Sequence, residues 1–404
     1  MMSTGYKRRS NIILVVLIVF ASAIFCQSAA KFGENFWVLQ YPAHQPPPRY
    51  GPAIAADPLH DTVVLFGGCQ NIQGDLYGDT WIWNGEDWEE KHPFVNPPPR
   101  KLAKMAFDPL RGRLVMFGGS TEQGFLFDTW EWDGKEWLQP NPAPAPRLEG
   151  YVDVHLIWSP RLERVVLIYV LHTPEPRTEF FEIYAWDGME WIWQGQTPPS
   201  HFIPDLMEAS FDARRNCLFF GGCSIRVFTL YGLDQMLIWG GGEVVFPETS
   251  PRPRGRWEHG MCASHRTGRT MVFGGLHCDG HCWEILDDTW VWDGAAWHDL
   301  YVDGPPPRRY FGFAFEGEGE TALLYGGMLN DVWNDTWVLH LGGDANRDGK
   351  LNVFDPLLLR LNEDGLMPPG TRPRLDSQAV DLDGDGLVTA ADRRLLCIQL
   401  AEGD

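Results

Sequence analysis

The sequence predicts an all-β six-bladed propeller over residues 31–341, followed by a small all-α C-terminal module over 342–404. Three observations predict it. A Gly-Gly pair ends an apolar run at Gly67-Gly68, Gly118-Gly119, Gly221-Gly222, Gly274-Gly275 and Gly326-Gly327. Asp-Thr-Trp recurs at residues 79–81, 128–130, 288–290 and 335–337. Composition changes after Leu341, where Asp and Asn become dense. The 43 Gly, 31 Pro and 19 Trp mean many turns and short strands. With 44% hydrophobic and 22% charged residues, the chain is neither disordered nor membrane-embedded throughout. Fifty-four acidic against 33 basic residues, a net charge of −21, exclude nucleic acid as the main partner, because phosphate binding needs clustered Lys and Arg.

Residues 1–30 read as an export signal. Lys7, Arg8 and Arg9 precede an apolar run from Ile12 that continues to Cys26, and small Ser28, Ala29 and Ala30 stand before Lys31. An uncleaved N-terminal anchor is the alternative, although the run is short for a span. Bulky Phe25 argues against lipidation of Cys26. No later stretch is long and apolar enough to cross a bilayer. The mature chain is therefore expected to be secreted, extracellular or cell-surface-associated, with no membrane span. In that oxidising setting an odd set of cysteines remains: Cys69, Cys217, Cys223, Cys262, Cys278, Cys282 and Cys397. Around Cys278 and Cys282, with His277 and His281, a local disulfide, free thiols and a metal site all stay open.

The repeat is about fifty residues long and occurs six times. The Gly-Gly missing near position 170 is replaced by the apolar run 165–170, and Ile183-Tyr184 and Met236-Leu237 stand where Asp-Thr-Trp is absent. A Pro-rich lead-in ends at Arg49, Arg100, Arg147, Arg256 and Arg308. After it, each unit reads as four strands: one such as residues 50–56, a turn at Asp57-Pro58 or Asp108-Pro109, an apolar strand into Gly-Gly, the Trp-x-Trp strand, an Asp-Gly hairpin, and a last strand. That last strand opens at Trp88, Trp137, Trp191, Val244 and Trp297, but the sixth unit has none. Trp37 stands as far before Arg49 as Trp88 stands before Arg100. Residues 36–40 should therefore be the outer strand of the last blade.

In a blade of this kind the loop after Gly-Gly and the interblade loop share one face. That face collects the five arginines, which are either repeat framework or ligand-binding residues. Tyr77, Phe125, Tyr231 and Trp283, in irregular loops, are the aromatic contact candidates. No catalytic residues can be assigned.

In the C-terminal module Asp344, Asn346, Asp348, Asn352 and Asp355 fall at positions 1, 3, 5, 9 and 12 of a calcium loop. Gly349 takes position 6, and the Lys350 carbonyl supplies position 7. Asp381, Asp383, Asp385, Thr389 and Asp392, with the Leu387 carbonyl, repeat the spacing. Two Ca2+ ions are expected. Each loop runs into a leucine-bearing helix, at residues 355–362 and 392–401.

These motifs carry two resemblances. Residues 35–341, with Asp-Thr-Trp-x-Trp-Asp-Gly, resemble kelch-repeat propellers. Residues 342–404, a tandem of calcium loop and helix, resemble a type I dockerin module, departing at Val353-Phe354 and Ala390-Ala391 where cellulosomal dockerins often carry Ser-Thr. The resemblances imply a cohesin-like protein partner for 342–404 and a protein or glycan ligand on the propeller face, in a secreted calcium-binding recognition protein. The alternative they imply is a carbohydrate-active enzyme (a sugar oxidase, an epimerase or a glycoside-acting enzyme) of an extracellular polysaccharide-degrading complex. No Tyr–Cys–His copper constellation, serine-nucleophile elbow or phosphate loop can be matched.

So short a module buries little core, and ion binding should supply much of its folding free energy. Chelation should unfold residues 342–404 and leave the propeller folded, and Asp344→Ala with Asp381→Ala should do the same. Limited proteolysis with chelator should then cut after Leu341; a C-terminal segment protected without calcium would refute the calcium reading.

Overall fold

The computed structural model describes residues 35–341 except 72–73, 141–152, 173–178, 198–204, 212–216, 227–228, 233, 235, 240–243, 265–268 and 317–320. The expected leader, Arg147 and the whole calcium module lie outside the described residues. Residues Trp37–Leu339 form one compact unit. It is a six-bladed β-propeller, and no helix occurs among the described residues.

The blades follow in chain order, each given from inner to outer strand. The first is Ala53–Asp57, Thr62–Phe66, Thr80–Trp83 and Trp88–Lys91. The second is Lys104–Asp108, Arg113–Phe117, Thr129–Trp132 and Trp137–Leu138. The third is Asp153–Ser159, Arg164–His172, Glu179–Trp186 and Trp191–Gln196. The fourth is Asp205–Phe211, Cys217–Arg226, Met236–Trp239 and Val244–Val245, with Thr229–Gly232 paired to its long second strand. The fifth is Gly260–Ala263, Thr270–Phe273, Thr289–Trp292 and Trp297–Asp299. The sixth is Gly312–Phe315, Thr321–Tyr325 and Thr336–His340, and its outer strand is Phe36–Gln40 from the other end of the chain. First strands of successive blades touch all the way round and line the axis.

The first strand begins at residue 53 rather than 50. Gly51 has φ +63°, and the matching residues Leu102, Glu258 and Tyr310 have φ between +56° and +60°, so the chain turns before it extends. The turn after the strand is held by Asp57, whose carboxylate accepts the Leu59 amide. In the Asp133-Gly134 hairpin the Asp133 carboxylate accepts the amides of Lys135 and Glu136. The third blade, lacking Gly-Gly, continues its second strand for nine residues.

The core lies between the blades. Strand Thr62–Phe66 sends Val64 and Phe66 against the second blade and Val63 and Leu65 against the sixth. That is why these runs are apolar throughout rather than alternating: both faces are covered. Trp83, Trp132, Trp186 and Trp292 pair in register with Trp88, Trp137, Trp191 and Trp297, ring centroids 5.0–5.5 Å apart.

The outer-strand tryptophans also tie every blade but the fourth, whose outer strand is Val244–Val245, to the one before. Trp88, Trp137 and Trp191 donate their indole N–H to Thr336, Thr80 and Thr129 at 2.8–2.9 Å. Trp37 makes the same bond to Thr289 at 2.9 Å and packs edge-on against Phe273. Its ring leaves no room for a Cβ at Gly304, which would lie 2.4 Å away. Trp37 is 6% exposed. Trp37→Ala should therefore cost about 3–5 kcal/mol, the usual range for a buried Trp truncation. Urea denaturation checks this, and a variant as stable as the parent would show that the sixth blade does not depend on its N-terminal strand.

Candidate functional site

Four of the arginines singled out above sit inside the framework. Arg49, Arg100, Arg256 and Arg308 are at most 1% exposed. Each guanidinium makes a two-pronged pair with the Asp of its own blade, Asp79, Asp128, Asp288 or Asp335, at 2.5–2.8 Å. Nη1 also donates to the first carbonyl of Gly-Gly, and Nε to a carbonyl two residues back in the chain. Burial opposes ionisation of Asp128 and Asp288, but hydrogen bonds and charge from Arg100 and Arg256 outweigh it and hold both carboxyls below their ordinary range. The main chain of each arginine belongs to the preceding blade: the Gly68, Gly222, Gly275 and Gly327 amides donate to Arg100, Arg256, Arg308 and Arg49 at 2.6–2.9 Å.

The aromatic candidates divide. Tyr77 lies under the Arg49 guanidinium at 4.3 Å, and Trp333 under that of Arg308 at 4.2 Å. Trp283 is 60% exposed and meets Trp257 edge-on. Tyr231 lies on strand Thr229–Gly232. Phe125, half-exposed on its hairpin, borders a cavity on the axis. Around Cys278 and Cys282 the structure shows separate thiols, Cys278 buried with Trp257 and Leu276 and Cys282 exposed. Among the described residues no His, Cys, Asp and Glu converge to hold a metal ion.

That axial cavity, of about 280 Å³, is the candidate site, and its polar residues went unnoticed in the sequence. Lys104, opening the first strand of the second blade, reaches past the third blade to the Glu208 carboxylate in the fourth, at 2.8 and 2.9 Å. Both side chains stay partly exposed, at 31% and 26%. His155 of the third blade and His259, leading into the fifth, border the same cavity and are buried. At the rim, Glu258 accepts from Arg309 at 2.7 Å and from the Tyr310 hydroxyl. Leu102, Met207, Met261, Phe311 and Phe313 supply apolar wall. The signal that finds the polar set is alignment of the repeats at the first strand.

The cavity offers an ammonium, a carboxylate and imidazole beside apolar surface. The class that fold and site define is a six-bladed β-propeller with an amphipathic axial pocket. No protein-family model matches the chain, and no curated protein matches it.

Burial, and then the Lys104 charge, push the His155 imidazole well below its ordinary pKa; burial, Arg256 and Lys104 do the same to His259. The folded protein keeps both neutral, whereas the unfolded chain takes up their protons below about pH 6.5. The unfolded state then holds more protons, so stability should fall as pH drops from about 6.5. The lowered Asp128 and Asp288 act in a separate window, below about pH 4. Tm should be lower at pH 5 than at pH 7, and His155→Gln with His259→Gln should flatten that slope; an unchanged slope would show that these imidazoles do not set it.

Proposed function

We propose that this chain is an exported recognition protein: a kelch-type propeller binds a protein or glycan ligand, and a dockerin-like module holding two Ca2+ ions anchors it to a cohesin-like partner. The observation that carries the propeller half is the division of polar groups within it. The recurring Arg and Asp are engaged in the framework, while Lys104, Glu208 and His259 gather at one axial cavity. The kelch reading is supported by Asp-Thr-Trp: the Asp takes an arginine, the Thr takes a tryptophan of the next blade, and the Trp joins the core. The anchoring half is supported by the two calcium loops of the sequence alone.

The second reading, a carbohydrate-active enzyme, is favoured by two neutral imidazoles bordering the same cavity as the Glu208 carboxylate. One experiment separates them. The full chain in calcium is offered to a glycan array and to surface proteins carrying cohesin-like domains, and is assayed in parallel for sugar oxidation, epimerisation and glycoside cleavage. Binding without turnover is the expected result, with partner docking lost on chelation and propeller binding kept. Turnover abolished by His259→Gln would replace recognition by catalysis.

A further inference from the structure

One position on the inner strands distinguishes the blades. In each blade the first-strand residue paired with the last residue before Gly-Gly, or with Ile168 in the blade that lacks Gly-Gly, occupies an equivalent place. Around the ring it is Ala53, Lys104, His155, Glu208, Gly260 and Gly312. In the fifth, sixth and first blades it is Gly, Gly and Ala, and the space goes to packing: a Cβ on Gly260 would lie 2.3 Å from the Phe311 ring, and one on Gly312 3.1 Å from Ile54. In the second, third and fourth blades it carries an ammonium, an imidazole and a carboxylate. One side of the axis is therefore polar and the other apolar, with the cavity bordered by both.

We infer that this cavity binds one terminal ring of a neutral glycan, with Lys104 and Glu208 as its polar clamp. The inference rests on the recognition reading above and gives that site its ligand class. A volume of about 280 Å³ lies just below the usual small-molecule range of about 300–1,000 Å³ and suits a single sugar ring rather than a folded partner. The ammonium and carboxylate, side by side and partly open, present donors beside acceptors, which matches adjacent hydroxyls on a ring. His259 is 4% exposed, and neither ring nitrogen has a hydrogen-bond partner among the described residues. A neutral imidazole has one donor and one acceptor, again the pattern of a hydroxyl. Phe311, Phe313 and Met261 meet the C–H face of such a ring.

Charge selects against acidic sugars. Both carboxylates that border the cavity are already paired, Glu208 with Lys104 and Glu258 with Arg309, so no unpaired charge is left to hold an ionic sugar. A uronate would have to displace Glu208 from Lys104 and leave a carboxylate unpaired in a half-buried site. An amino sugar would have to displace Lys104 in the same way.

The test is calorimetric titration of the full, calcium-loaded chain with neutral manno- and cello-oligosaccharides, oligogalacturonate and chitosan oligomers. Neutral sugars should bind at least ten times more tightly than either charged series. Lys104→Met and Glu208→Gln should each weaken that binding at least tenfold. Leu102→Trp, which obstructs the cavity and leaves the ion pair in place, should do the same if either substitution prevents folding. Neutral-sugar binding undiminished in the folded variants would overturn the cavity assignment and leave glycan recognition elsewhere on the propeller standing. Preference for galacturonate or chitosan would overturn the neutral class. Capture of a protein ligand with no bound sugar would overturn the inference and keep the recognition reading.

Discussion

Each regular junction between blades is held by one arginine whose main chain belongs to one blade and whose side chain belongs to the next. Arg100 shows the logic. Its carbonyl accepts the Gly68 amide and its amide donates to Tyr77, both in the first blade, while its guanidinium grips Gly118 and Asp128 in the second. A buried guanidinium is expensive to desolvate and is tolerated only where its donors meet acceptors in the right plane. Here Nε, both Nη groups and a carboxylate fork satisfy that condition. Lysine, with a point charge and no planar fork, could not make the same set of bonds. The staple also explains Gly-Gly: a Cβ on Gly67 would sit 2.5 Å from the Arg100 carbonyl, at a backbone φ of +67° that side chains rarely adopt.

The staple is regular where the repeat is regular, and the axial site is polar along the second, third and fourth blades. The third and fourth blades lack Asp-Thr-Trp in the sequence. In the fourth blade the Met236 sulfur takes the place of the threonine and accepts the Trp297 indole N–H. Lys104 to Glu208 adds a tie across the inner edge of the third blade. The Arg–Asp staple does not restrict this inner-strand position, since Lys104 stands in a stapled blade, and residues there can serve a ligand as well as a neighbour. The staples hold the ring, and the inner-strand position varies the pocket.

This division decides what could be read in the sequence. Asp-Thr-Trp and Gly-Gly were legible because the same contact is rebuilt at several junctions: Asp79, Thr80 and Trp81 recur with the same kinds of partner, and each arginine stands 18 residues before the glycine whose carbonyl it takes. Trp37 was legible for the same reason, through its offset to Arg49. The strand's start at residue 53 was not, because the left-handed turn before it falls on glycine only at Gly51 and on Leu102, Glu258 and Tyr310 elsewhere. Lys104, His155 and Glu208 were not legible because they do not resemble one another. Their common place shows only once the register pairs them with Phe117, Ile168 and Phe220.

The same register shows why a propeller can change its ligand without losing its fold. Position 53 and its equivalents carry no framework hydrogen bond that the ring depends on: glycine suffices at 260 and 312, and alanine at 53. The framework bonds lie elsewhere, at the arginine four residues earlier in these blades and at Asp-Thr-Trp across the sheet. Residues at the inner position are held by strand pairing on one side and by neighbouring blades on the other. A side chain there therefore arrives at the axis already oriented. Placing Lys104 two blades from Glu208, with His155 between, joins three blades through one small set of polar atoms. A solute entering the cavity would exchange with that set while the staples, in the loops at the end of the blades, stay intact.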